Sequence, residues 1–465
     1  MSRAPVELSA AETARVLRSV LVPLVAQGAI VRRPRLTAWA ERRQTDREAR
    51  RVLGGLRDRY GGAPLALRLG PRRLVVVTAP DDVRRLLEGT PDPFTAASNE
   101  KRGALAHFQP HALLISGPDD RRRLRPLNED ALDAAHAVHD DGAAVVAAVE
   151  RAAGELARQV DAAGGLDADA FAEVWWRLVL EVTFGPRARD DHRVVDLLNA
   201  LRRDGNWSWF RPRRPWLRAA LERRVADHVA RAPSSSLAGR ARDADRDAGR
   251  DEAPGQVPHW LFAFDAAGAT TLRALAVASA RDDVRGRLVD ELARAGDGGE
   301  PALLPYGRAC LLEAVRLWPT TFAVLRDAVR PTDWGGTTVP AGTGFVVLSG
   351  FFHRDPERLA FADDFAPEAW WDGRADADWG IVPFSGGPAA CPGRNVVLLV
   401  ASYLLARLAG LGLGVERGRF LARDPLPCTV DHLGLRFVAG GDGPSALRWP
   451  EVQERPPERE VRRAR

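Results

Sequence analysis

The sequence predicts a mainly helical fold with a small β region, and three observations predict it. Helical periodicity runs through most of the chain. Strand-like signals are short and sit toward the two ends. One long apolar run, Val257 to Ala280, has the length of a helix that crosses a core. The 465 residues are 45% hydrophobic and 28% charged, which suffices for a large core and excludes both general disorder and a polytopic membrane protein. No linker divides the chain, so a single domain over 1–465 is expected, with an N-terminal segment at 1–35.

Each element follows from its local pattern. Val20 to Val31 is apolar but too short to span a bilayer, which takes roughly 20 residues. The Arg32-Arg33-Pro34-Arg35 that follows is no signal-peptide cleavage site. This segment is expected to pack on the domain, with peripheral membrane contact as its other use. Leu36 to Tyr60 reads as helix and stops at Gly61-Gly62. Leu65–Leu69 and Leu74–Thr78, separated by Gly70-Pro71, read as a β-hairpin. Helical pattern then continues to about residue 230. Residues 232–256 are polar and rich in Ser, Arg and Asp, and read as a flexible surface loop. Further helices are expected over Val257–Ala280, Arg281–Ala295 and Pro305–Leu317, and strands at Thr337–Val339, Gly344–Leu348 and Leu433–Val438.

Charge and cysteine content exclude several classes. The net charge of +5 is mild for this length, so no nucleic-acid partner is expected. Nearly all the positive charge is arginine; Lys101 is the single lysine. Cys310, Cys391 and Cys428 are too few and too far apart for a disulfide framework or a Cys-rich zinc site. A reducing, cytoplasmic location is expected.

The chemistry concentrates around Phe384-Ser-Gly-Gly-Pro-Ala-Ala-Cys391-Pro-Gly393-Arg394. Glycines and prolines make a tight loop, Pro392 suits a first helical position, and the apolar run behind it reads as a buried helix. Cys391 then sits at a helix N-terminus, where free N–H groups and the helix dipole favour thiolate and can tune an iron ligand. Two plainer readings stay open at this point: a small buried hydrophobe, or a phosphate cradle, although the latter lacks its Gly-Lys-Ser/Thr.

Phe384-x-x-Gly387-x-x-x-Cys391-x-Gly393 resembles the haem-binding signature of the cytochrome P450 family. Glu313-Ala-Val-Arg316, 75 residues upstream of Cys391, resembles that family's Glu-x-x-Arg helix. His353-Arg354-Asp355-Pro356 and the stretch Asp364 to Trp370 look like the segments between them, in the family's order. The resemblance covers at least residues 60 to 440. It implies a P450-like fold with a long central helix over haem b, whose iron Cys391 ligates. Arg121 and Arg125, spaced i and i+4, and Arg326 match the arginines that meet the haem propionates. Gly268 and Thr271 match the central-helix glycine and the threonine that helps protonate bound dioxygen.

Some positions depart from the pattern. Thr270 stands where an acid is usual, so protons must come through water, the hydroxyls or the substrate. Asp265 falls on a different helix face and does not replace that acid. Ala389 replaces a basic residue two before the cysteine, so one propionate contact is missing or supplied elsewhere. Ala369 replaces the arginine that pairs with Glu313 and Arg316, so some loss of rigidity is expected there. Trp175-Trp176 and Trp207, Trp209 and Phe210 read either as a roof over the substrate chamber or as core packing and surface anchors. His136 and His139 read as a surface helix rather than a metal pair, because no third ligand is near.

The expected activity is that of a monooxygenase. It uses O2 and two electrons on a hydrophobic small molecule, such as a terpenoid, polyketide or fatty acid of secondary metabolism. Separate ferredoxin and ferredoxin reductase proteins would supply the electrons, since no reductase domain follows Cys391. Two alternatives remain: a peroxygenase, isomerase or dehydratase that needs no reductive O2 activation, and a non-catalytic haem-binding protein.

Overall fold

The structure is a computed structural model and describes residues 3–296, 301–416 and 418–440. Its axis is the helix Ala253–Ala280, about 42 Å long at 1.5 Å rise per residue. From Thr270 to Ala278 every residue of that helix is buried, and an all-round buried helix belongs to a core. It is long and apolar enough to cross a membrane, but 78% of its most apolar window is buried inside the protein. Helices Arg394–Ala409, Pro305–Leu317 and Ala168–Phe184 pack against it.

A six-stranded sheet flanks this helical body, in the order Val6–Glu7, Leu65–Leu69, Arg72–Val76, Gly344–Leu348, Ala323–Ala328, Phe94–Thr95. The expected hairpin is present, with Leu65 opposite Val76 and Leu69 opposite Arg72. Its turn passes through Gly70 at φ +60, a conformation that glycine adopts freely. Ala323–Ala328 runs antiparallel to Gly344–Leu348 with Arg326 opposite Phe345, which brings Arg326 inside the protein, 2% exposed. The apolar face of the sheet packs with Val16, Val20, Val52 and Leu53 from the N-terminal helices. The strands Thr337–Val339 and Gly344–Leu348 and the helix Pro305–Leu317 have the predicted bounds.

Four elements differ from the sequence expectation. Leu36–Tyr60 is two helices, Pro34–Arg43 and Thr45–Arg59, broken at Gln44 (φ 47). The Gln44 side chain bonds the Cys428 N–H and the Thr429 carbonyl, and those tertiary bonds accompany the break. Residues 232–256 are not a loop: they contain the helix Leu237–Asp247, capped by Ser236, with Leu237, Ala238 and Ala241 buried. Small buried residues on one side and Arg/Asp on the other look like a polar linker when the faces are not separated. The strand expected over Leu433–Val438 is Arg436–Ala439, preceded by a 3-10 turn at His432–Gly434. The N-terminal segment packs through Val16 and Val20 but leaves Val22 58% and Val25 60% exposed.

Candidate active site

Backbone bonds set the cysteine loop. The Cys391 N–H donates to Phe384 O at 2.9 Å, and the Ala390 N–H to Gly387 O at 3.0 Å. Phe384 itself packs, half-buried, against the helical core. Gly387 has φ +61, and a Cβ there would lie 2.3 Å from Leu87 O, so the loop closes only with glycine at this position. Gly393 is less constrained, since a Cβ would meet Leu132 and the Cys391 sulfur at 3.8 and 4.0 Å. The helix behind the loop starts at Arg394, so Pro392 stands in the turn before it and not at its first position. The N–H groups of Gly393 and Arg394 bond the Cys391 side chain and, with the Arg125 and Arg394 charges, pull its pKa down. Burial outweighs them and holds the thiol above its ordinary value. A coordinated metal ion reverses that balance, because a coordinating thiol is deprotonated outright.

Cations gather beside the loop. Arg121 Nη2 donates to Pro388 O at 3.1 Å and Arg125 Nη1 to Ala390 O at 2.7 Å, so the predicted pair brackets Ala389. Arg125 also holds Glu129 at 2.6 Å. Arg326 donates to Thr90 Oγ1 at 2.8 Å and Ser385 Oγ at 3.2 Å. Lys101 joins them, a residue that sequence reasoning noted only as the single lysine. Its Nζ donates to Ala96 O at 3.2 Å and Leu325 O at 3.3 Å. Burial and the charges of Arg326 and Arg121 push Lys101 down to about 7, while burial and Arg121 push Arg326 down to about 10.

Among the described residues none of Lys101, Arg121 and Arg326 makes an ion pair. Asp327, beside them, is bound to Arg72 at 2.6 Å. Enclosed cations without acids call for an anion. Haem propionates are such anions, so the residues present fit that group, and Lys101 would add a cation to those that hold it. A Lys101→Met protein is expected to release haem to a scavenger such as apomyoglobin roughly tenfold faster, the scale of one charge-assisted hydrogen bond. Lys101→Arg should restore retention, and an unchanged release rate for Lys101→Met would contradict the assignment.

Along the central helix one row is less buried as far as Ala266. His259, Ala263 and Ala266 are only partly covered, and Thr270 continues their i, i+4, i+7 line. Burial and the Lys101 charge push His259 down to about 4, which places this row beside the cation cluster. Thr270 Oγ1 donates to Ala266 O and Thr271 Oγ1 to Ala267 O, both at 2.9 Å. Thr271 is fully buried on the opposite row, with Phe264 and Gly268. Gly268 is where the helix meets Trp175. A Cβ there would lie 2.8 Å from Trp175 Nε1, whose N–H donates to Phe264 O at 3.0 Å. Thr270 and Thr271 are both buried, 5% and 0% exposed, with their hydroxyls bonded inside the helix. Asp265 pairs with Arg202 and stays out of the site, as expected.

The Glu313–Arg316 pair is fully buried, at 2.6 Å. The expected loss of a third partner at Ala369 does not occur. Trp370 Nε1 and the Ala366 N–H both donate to Glu313 at 2.9 Å, and Arg316 donates to the carbonyls of His353, Phe361, Ala362 and Asp364. This network fastens the segment leading to the cysteine loop. Trp175 and Trp176 are core residues, whereas Trp209 and Phe210 are 74% and 83% exposed. His136 and His139 lie in turns between two helices, with His139 buried against Ala131 O.

The sequence profile described as "Cytochrome P450" matches residues 299–408. The chain is 30% identical over 167 residues to cyclooctat-9-en-7-ol 5-monooxygenase of Streptomyces melanosporofaciens, covering 33% of this chain and 36% of that one. It is 36% identical over 139 residues to the cytochrome P450 monooxygenase apdE of Emericella nidulans, covering 27% and 24%. The matched part thus spans about a third and a quarter of those relatives' lengths. A zebrafish cytochrome P450 solved with progesterone superposes with a TM-score of 0.63 at 17% identity, covering 78% of this chain and 93% of that one. Residues 299–408 thus carry the cytochrome P450 profile, and the fold is that of a solved cytochrome P450. The cofactor this similarity implies is haem, with its iron held by a cysteine thiolate.

Proposed function

We propose that the chain is a haem-thiolate monooxygenase, oxidising a hydrophobic small molecule with O2 and two electrons, and that Cys391 is the iron ligand. The observation that carries this reading is the closed Cys391 loop, whose sulfur is bonded by two N–H groups with Arg125 beside it. The bound haem supplies activation of dioxygen. Gly393 and Arg394 hold the sulfur, while Arg121, Arg125, Arg326 and Lys101 neutralise the cofactor's carboxylates. The small side chains of Ala263 and Ala266 leave room for substrate, and Thr270, next on their line, holds a proton at Oγ1. The Streptomyces relative is named for oxidising cyclooctat-9-en-7-ol, which supports a terpenoid-like apolar substrate and a place in secondary metabolism. Arg121 and its neighbours support docking of an acidic ferredoxin, fed by its reductase, although Arg122 and Arg123 are engaged by Asp119 and Asp120. A cytoplasmic site of action is part of the proposal. The exposed Val22, Val25, Trp209 and Phe210 support peripheral membrane contact.

Thr270→Ala is expected to keep haem and spectrum but to divert electrons from product to peroxide, lowering product per electron several-fold. Thr271→Ala should leave that ratio unchanged, and the reverse pattern would return the role to Thr271. A second reading, peroxide-driven oxidation, is favoured by one observation: the less buried row carries no carboxylate, with Asp265 tied to Arg202. Turnover with ferredoxin, reductase and O2 supports the monooxygenase. Turnover with hydrogen peroxide alone supports the alternative.

A further inference from the structure

Buried guanidinium groups in this protein come with a carboxylate. Arg316 has Glu313, Arg202 has Asp265 and Arg354 has Asp363. Arg326 departs from this pattern where the cofactor's own carboxylates are expected. Buried Arg273 and half-buried Arg32 make no direct ion pair among the described residues; they share one small cavity with Gln27, Thr37, Asp46 and Phe322, and the Asp46 charge acts on both.

Arg273 projects from the central helix three residues past Thr270, which is about 4.5 Å along the axis and about 60° round from it. It is 6% exposed. Its Nη1 donates to Trp318 O and its Nη2 to Val430 O, both at 3.1 Å, and its buried Nε has no partner. Arg32 donates to Gly28 O at 2.8 Å and Thr320 O at 2.5 Å, with its guanidinium carbon 3.6 Å from the Phe322 ring centre. Neither arginine makes an ion pair among the described residues.

From this geometry we propose that the cavity between Arg273 and Arg32 binds the carboxylate end of the substrate, whose apolar body then lies along the less buried row toward Thr270. Burial and the Arg273 charge push Arg32 down to about 9, and burial pushes Arg273 down to about 10, although Asp46 acts against both shifts and Asp431 and Glu41 against that of Arg273; a further anion between them would relieve both. The cavity measures about 50 Å³, room for a few waters or one carboxylate group and not for a whole substrate. Asp46 faces the same space, bonded to Thr429 Oγ1 at 3.0 Å. Asp431 lies beyond, held up to about 6 by burial. With these acids present a monoanion fits better than a phosphate dianion, so a carboxylic acid is the ligand class.

This inference rests on the monooxygenase reading only for the placing of the apolar body. It is tested by calorimetric titration of the haem-loaded full chain with dodecanoate and 1-dodecanol, and with hexadecanoate and 1-hexadecanol. The expected result is that an acid binds at least tenfold tighter than its alcohol. Arg273→Gln and Arg32→Gln should each remove that preference while leaving the alcohol within twofold. Equal affinity within both pairs, or no binding of either acid, would overturn the proposal. So would variants that weaken acid and alcohol alike, since that is a structural effect. The two arginines lie on separate elements, so one variant remains informative if the other does not fold. Arginine-dependent acid binding by a protein without a thiolate-type carbon monoxide spectrum would retain the site and sink the monooxygenase reading.

Discussion

Cys391→Ser is expected to fold, to bind haem poorly and to lose the thiolate signature of its reduced carbon monoxide complex. The substitution changes one atom, and the loop's closure is set by main-chain bonds such as Cys391 N–H to Phe384 O, which serine retains. What goes is the ligand. A thiol is brought to thiolate by a metal ion and the N–H groups of Gly393 and Arg394. A serine hydroxyl, far more weakly acidic, is not brought to its anion in the same enclosure. Neither Cys310 nor Cys428 can substitute. Cys310 is buried on the helix Pro305–Leu317, and Cys428 accepts a hydrogen bond from Arg50 at 3.0 Å. Retention of the thiolate-type band in Cys391→Ser would mean that another group ligates the iron.

The second large effect is expected at Glu313. Its carboxylate is fully buried and accepts from Arg316, the Ala366 N–H and the Trp370 indole N–H. Glu313→Ala leaves the Arg316 charge buried without its counter-ion and strands two further donors. Breaking such a pair costs about 3–5 kcal/mol. Denaturant unfolding of the haem-loaded protein should show a loss of that size, with haem released at lower denaturant. Arg316→Lys should fare little better, because one ammonium cannot reach four carbonyls and a carboxylate. A loss below about 1 kcal/mol would put the pair among weak surface bridges, in conflict with its burial.

Much of the site was legible because its signals are local. The glycine spacing around Cys391 reports a closed loop, and the i, i+4 spacing of Arg121 and Arg125 reports a shared helix face. Both hold in the structure, where the pair brackets Ala389. The hairpin and the helix Pro305–Leu317 were legible for the same reason. Long-range placement was not. Lys101 joins the cation cluster because the short helix Asn99–Leu105 lies against the strand carrying Arg326, and nothing local to Lys101 announces that. Trp370 replaces the absent arginine at Ala369 through a tertiary contact one residue along. The close packing of Trp175 on Gly268 is likewise a tertiary contact that nothing local announces. The helix Leu237–Asp247 was missed because short apolar residues carry little periodic signal, and burial of its face overrides the polar composition.

The most direct measurement is the absorption spectrum of the purified protein, reduced and then exposed to carbon monoxide. With Cys391 on the iron, the Soret band moves strongly to the red, as for a thiolate–iron complex. A band at the position typical of histidine or neutral thiol ligation, or a protein that takes up no haem, would contradict the assignment.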